Sequence, residues 1–199
     1  MNPRTIILLL VLGALLGGCA VAGPAFQIVG AAKTTYDIHE MVRPPDRVDF
    51  GAAQPADNVV EARVRQNLDM AGNFLAVHAY SFNGHVYLVG LFRNKAEAQT
   101  ALEAVRNTEG VNQITGVFQL QDTRVPFNPD TDLAAAVRLR DSLLESGALH
   151  TAKLRINVMQ NKAVLVGQVG SPKEKANILA VARNSTYLAG MSDYLEVAP

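Results

Sequence analysis

The chain has 199 residues, 49% of them hydrophobic and 18% charged, a balance that fits globular structure and excludes disorder. Lysine plus arginine equals aspartate plus glutamate, so the formal net charge is zero, which argues against a general nucleic-acid binder with its basic excess. Cys19 is the only cysteine, so no internal disulfide can form and each domain must be held by its apolar core alone.

Met1 to Arg4 carries one positive charge, and Thr5 to Leu16 is an unbroken apolar run ending in Leu16-Gly17-Gly18-Cys19. This is the order of a charged n-region, an h-region and a small-residue cleavage site. The run is short of the roughly 20 residues that span a bilayer, so a permanent membrane helix is the weaker expectation. The segment resembles the lipobox of bacterial lipoproteins: a branched apolar residue, two small residues, then cysteine. The resemblance implies a lipoprotein signal peptide over residues 1–18, with Cys19 alkylated by diacylglycerol and the new amino terminus acylated. Two or more acyl chains hold a soluble domain stably where one does not. Ala20 follows, not the Asp that retains enteric lipoproteins in the inner membrane, so the resemblance implies the outer membrane as destination, facing the periplasm. Residues 19–56, with Pro44-Pro45 and Pro55, read as a linker carrying a short helix around Thr35 to Met41.

Beyond the linker the sequence repeats itself. Val77-His-Ala-Tyr-Ser-Phe-Asn-Gly-His-Val-Tyr-Leu-Val-Gly90 aligns without a gap on Leu154-Arg-Ile-Asn-Val-Met-Gln-Asn-Lys-Ala-Val-Leu-Val-Gly167, at an offset of 77. Both stretches read as hairpins. Asn83-Gly84 is a strong turn signal, and Gln160-Asn161-Lys162 a weaker one in which Asn tolerates left-handed backbone. After each hairpin comes a helix start, Asn94 before Lys95-Ala96-Glu97 and Ser171 before Pro172-Lys173-Glu174, each a capping side chain three residues ahead of a Glu. Final strands are expected over Gln113 to Leu120 and Ser192 to Val197. Upstream of each hairpin lies one more helix, Val59 to Asp69 capped by Asp57 or Asn58, and Asp132 to Glu145 capped by Asp130 or Thr131. Each copy is therefore helix, strand, strand, helix, strand: an α+β unit whose three-stranded mixed sheet is covered on one face by two helices.

This pattern resembles the BON domain family, and two copies behind a lipobox resemble the dual-BON outer-membrane lipoproteins of Gram-negative bacteria. The matching residues are Glu61-Ala-Arg-Val-Arg65, Val86-Tyr-Leu-Val-Gly90, Ala134-Ala-Ala-Val-Arg138 and Val164-Leu-Val-Gly167. The resemblance implies two tandem αββαβ BON domains, at 57–122 and 130–199.

Residues that carry chemistry are sparse. His39, His78, His85 and His150 are scattered, none at metal-ligand spacing on a helix, and His78 and His85 are expected on the hairpin's outer face. There is no Gly-x-Ser-x-Gly, and lipidation leaves no free thiol. Asn128-Pro-Asp130-Thr-Asp132 lacks the Gly and closing Glu of a calcium loop, and Gly167-Gln-Val-Gly170-Ser-Pro-Lys173 matches a phosphate loop only loosely. The expectation is a protein that is not an enzyme, with no metal, no cofactor and no small-molecule substrate.

The two opening helices differ. In the first, Val60, Val64 and Leu68 form one stripe opposite Ala62, Arg65, Gln66 and Asp69, as in a helix with one buried side. In the second, Leu133, Val137 and Leu144 are expected to form the core stripe, leaving Ala135, Leu139 and Leu143 on the far side between Arg138 and Arg140. A second apolar side must be buried against the other repeat, a partner protein or the membrane interface. The family resemblance implies that this helix binds anionic phospholipid, making Leu133, Arg138, Leu139, Arg140 and Leu143 the candidate site. Asp132 departs from the pattern, standing where the enteric relatives place an aromatic anchor, and the helix is about two residues longer. The expected function is a lipid-anchored envelope protein whose second repeat binds anionic phospholipid in support of outer-membrane integrity. The alternative is a periplasmic scaffold whose second-repeat helix docks an envelope protein.

Overall fold

A computed structural model describes residues 25–28, 48–50 and 55–198. The signal peptide, Cys19 and the helix expected around Thr35 to Met41 lie outside the described residues. Short strands β1 (Ala25–Ile28) and β2 (Val48–Phe50) precede helix α1 (Pro55–Ala71). The first repeat continues with β3 (Ala76–Phe82), β4 (His85–Phe92), α2 (Lys95–Arg106) and β5 (Gln113–Leu120). The second runs α3 (Pro129–Glu145), β6 (Lys153–Met159), β7 (Lys162–Val169), α4 (Pro172–Arg183) and β8 (Gly190–Val197). From the hairpins onward, every element boundary of the second repeat lies 77 residues after its counterpart. The α+β class and the tandem αββαβ order are as expected.

Local chemistry explains the boundaries. The Asn94 side chain accepts from Glu97 N at 3.0 Å and that of Ser171 from Glu174 N at 3.1 Å, the two expected caps. Helix α3 starts earlier than expected. Asn128, not Asp130 or Thr131, is its cap, and Pro129 takes the first turn, where a missing N–H costs nothing. Both hairpins turn through two consecutive left-handed residues, Asn83 (φ 55°) with Gly84 (φ 78°) and Gln160 (φ 45°) with Asn161 (φ 62°), which matches the twist of the flanking strands.

The Leu-Val-Gly ends have a steric origin in the second copy. Gly167 has φ +147°, and a Cβ there would lie 2.0 Å from the Lys153 carbonyl oxygen on the paired strand. At Gly90 the nearest backbone atom, the Ala76 carbonyl oxygen, is 3.0 Å from such a Cβ. Gly167→Ala is therefore expected to destabilise by well over about 1 kcal/mol. Gly90→Ala should cost less, a difference that thermal unfolding of the two variants would measure.

Each core sheet has three strands, β5-β4-β3 and β6-β7-β8, with an antiparallel hairpin pair and a parallel crossover pair. The segment expected to be linker adds a fourth strand to each. Strand β1 pairs parallel with β5, Ala25 opposite Gln113, and β2 pairs antiparallel with β6, Val48 opposite Ile156. A three-stranded sheet leaves backbone groups unpaired along both edges, and each added strand satisfies one of them.

Helices cover one face of each sheet, and the other faces pack on each other. Tyr80 donates its hydroxyl to Asn157 Oδ1 at 2.6 Å, and the Arg155 guanidinium lies 5.8 Å from the centre of the Phe82 ring. Met159, Val164 and Val166 of the second repeat belong to the same buried cluster as Val77, Tyr80 and Tyr87 of the first. Tyr80 and Asn157 occupy equivalent positions, so a pseudo-twofold axis passes between them. Phe82 meeting Arg155 makes the facing strands β3 and β6 run in opposite directions, which puts the two hairpin turns at opposite ends of the sandwich. Gln160, in the second turn, accepts from Asp122 N (3.1 Å) and donates to the carbonyls of Asp122 (2.8 Å) and Val125 (2.6 Å), just beyond the far end of β5.

Candidate functional site

Helix α3 is positioned by one buried carboxylate. Asp132, 5% exposed, accepts from Gln160 N at 2.9 Å and Asn161 N at 3.1 Å, fastening the helix to its own hairpin turn. Asp57 does the same in the first repeat, accepting from Asn83 N (3.1 Å), Gly84 N (3.1 Å) and the Ser81 hydroxyl (2.7 Å). Burial pushes the Asp132 carboxyl up from its ordinary range, against the two backbone donors that pull it down. Asp132 therefore belongs to the interior and not to the exposed surface of the helix.

That anchor fixes the rotation of α3. Ala136, Leu139 and Leu143 follow Asp132 at helical spacing and face the sheet; Leu139 and Leu143 are both 0% exposed. They pack with Leu154, Ile156, Leu165 and Ile178, inside the second repeat's own core. The two sides of the helix are thus exchanged relative to expectation. Leu139 and Leu143 are not available to a membrane, nor do they pack on the first repeat. Of the expected core stripe, Val137 is half-buried and packs on the edge of that core, whereas Leu133 is half-buried on the outer flank and Leu144 is 52% exposed. In α1 the expected stripe of Val60, Val64 and Leu68 is buried. Matching Asp57 to Asp132 puts Leu139 on Val64 and Leu143 on Leu68, and that is the signal that would have given the correct side from sequence.

The arginines lie two positions apart, so they leave the helix on different sides. Arg140 borders the Leu133, Val137 and Leu144 flank and pairs with Asp141 at 3.5 Å. Arg138 points the other way, its guanidinium 4.3 Å from the centre of the Tyr187 ring, a cation–π contact. Among the described residues no carboxylate pairs with Arg138. Asp141 and Glu145 share the exposed side of the helix.

His78 and His85 do lie on the sheet face turned away from the helices, but the second repeat covers that face. His78 stacks on Tyr80, and His85 stacks on Tyr87 while its Nε2 lies 2.8 Å from the Thr115 hydroxyl. Tyr87 donates to Glu196 at 2.5 Å across the repeats, and His85 Nδ1 is 3.9 Å from the same carboxylate. Burial lowers the His85 pKa from 6.5 more than Glu196 restores it, so acidification through the usual histidine range disfavours keeping the ring buried, although a protonated ring is drawn to Glu196. Among the described residues no group of three or more His, Cys, Asp or Glu could hold a metal ion. None of the described helices is long and apolar enough to cross a membrane.

Two pseudo-equivalent αββαβ units in tandem define the class of protein. A family model for the BON domain matches residues 56–122 and 130–199, and the chain belongs to the BON domain family. BON domains are known for phospholipid or membrane-related binding roles. No curated protein matches the chain. Solved structures similar to it include CdsD, a structural protein of the type III secretion system of Chlamydia trachomatis, at 11% identity, with 69% of this chain and 91% of that one covered and a TM-score of 0.28. A second structure, of the CdsD C-terminal domain, is 11% identical over 75% of this chain and 100% of that one, with a TM-score of 0.29.

Proposed function

We propose that the protein is a non-enzymatic lipoprotein of the outer membrane, anchored through Cys19, whose second BON domain engages anionic phospholipid on the periplasmic side and so supports outer-membrane integrity. The observation that carries this reading is the outer flank of α3. With both open sheet faces spent on each other, exposed Leu144 and half-buried Leu133 lie beside Arg140 as an apolar and basic strip on the outer flank, with Val137 packed partly on the core beneath them. Arg138, over the Tyr187 ring, adds a cation on the opposite flank, across Asp141 and Glu145. A basic residue near an anionic leaflet contributes about 1 kcal/mol.

Co-sedimentation of residues 20–199 with phosphatidylglycerol vesicles tests this. Arg140→Glu reverses one charge and should weaken binding more than about tenfold. Leu144→Glu should weaken it too, and added salt should lower it. Absence of binding at low salt would sink the reading. The second reading is a scaffold whose α3 docks an envelope protein. It is favoured by the mixed charge of that surface, where Arg140 is already paired with Asp141 and Glu145 lies close by.

A further inference from the structure

We infer that the end of the sandwich carrying the Asn83-Gly84 turn is the end that meets the bilayer, with the Gln160-Asn161 turn pointing away from it. The inference rests on the lipid-anchor reading of Cys19 and adds an orientation to it. Cys19 and Ala25 are six Cα steps apart, so the acylated residue lies within about 21 Å of the start of β1.

The register fixes which end that is. Ala25 lies opposite Gln113, Gln113 opposite His85, and His85 opposite Phe82, all beside the first hairpin turn. Because the facing strands run in opposite directions, the second turn and the 121–128 connection occupy the other end. An eight-residue strand separates the two ends by about 26 Å.

The orientation sorts the residues of the α3 strip. Asp132 ties the start of α3 to the distal turn. The chain after the helix returns at His150 and Thr151, whose amides meet Glu174 at the anchored end. Leu144 therefore lies at the membrane-proximal end and Leu133 at the distal end. In the anchored protein Leu144 reaches lipid first.

The test uses the full lipidated chain. Since Cys19 is acylated, an introduced cysteine is the only thiol to label. A fluorophore is attached at Glu109→Cys, an exposed position between α2 and β5 at the proximal end, or at Thr123→Cys, exposed at the distal end. Each protein is reconstituted into phosphatidylethanolamine–phosphatidylglycerol vesicles that contain a headgroup-nitroxide lipid. The expected result is quenching of the Glu109→Cys label at least about three times that of the Thr123→Cys label, over a separation of about 26 Å. Equal or reversed quenching on protein whose intact mass shows acylation overturns the orientation alone. An intact mass without acyl chains overturns the anchor reading, and the orientation with it.

Discussion

Leu139→Glu is expected to unfold the second repeat, not to probe lipid binding. Truncating a fully buried Leu to Ala costs about 2–5 kcal/mol, and an unpaired carboxylate in the same space adds several more. Leu139 lies at 0% exposure in an apolar cluster with Leu154, Ile156 and Ile178, where a carboxylate would be cut off from water. Leu144→Glu, half-exposed on the outer flank, should stay within about 0.5 kcal/mol of the parent. Urea unfolding followed by far-ultraviolet circular dichroism separates the two. Comparable stability of both variants would mean that the rotation of α3 assigned here is wrong.

The second large effect belongs to Glu174. Its carboxylate accepts from the amides of His150 (2.6 Å), Thr151 (2.8 Å), Ala152 (3.2 Å) and Gly170 (2.8 Å), and from the Thr151 hydroxyl (3.0 Å). Burial alone would raise its pKa, but these donors outweigh burial and hold it at about 2, below the ordinary 4.5. A group with a depressed folded-state pKa contributes stability that is complete above its unfolded value and is lost as pH falls toward the folded one. The second repeat should therefore lose stability between about pH 4.5 and pH 2. Glu174→Gln should cost on the order of 3 kcal/mol at neutral pH, since an amide offers one acceptor oxygen where two are used. The variant should also have a flatter acid limb in urea midpoints measured across that range. Asp132, pushed up by burial, works in the opposite sense, so an unchanged acid limb would assign the slope to other carboxylates.

Much of this arrangement was legible in the sequence because it is local. The paired Leu-Val-Gly ends set the offset, the turn residues set the hairpins, and Asn94 and Ser171 announced their helices through side-chain acceptors three residues from a Glu. What escaped was decided by long-range contact. Two apolar stripes on α3 are equivalent by periodicity, and the choice between them is made by Asp132 bonding to a turn 28 residues away. Strands β1 and β2, at 4 and 3 residues, are too short for alternation to register. The open sheet faces were expected to be outer surfaces. Tyr80, Tyr87, Val164 and Val166 instead form a layer between repeats, a pairing that neither copy encodes alone.

The placement of β2 has a consequence for the life history of the chain. Residues 48–50 find their partners at Leu154 to Ile156, roughly a hundred residues later, so the second repeat cannot be completed without a piece that precedes the first. A chain delivered amino end first carries that piece unmatched until about three-quarters of the sequence has arrived. The two repeats are thus successive in sequence but interleaved in assembly. Severing the 121–128 connection should give two fragments that stay together, laced by a thread from the opposite end of the molecule.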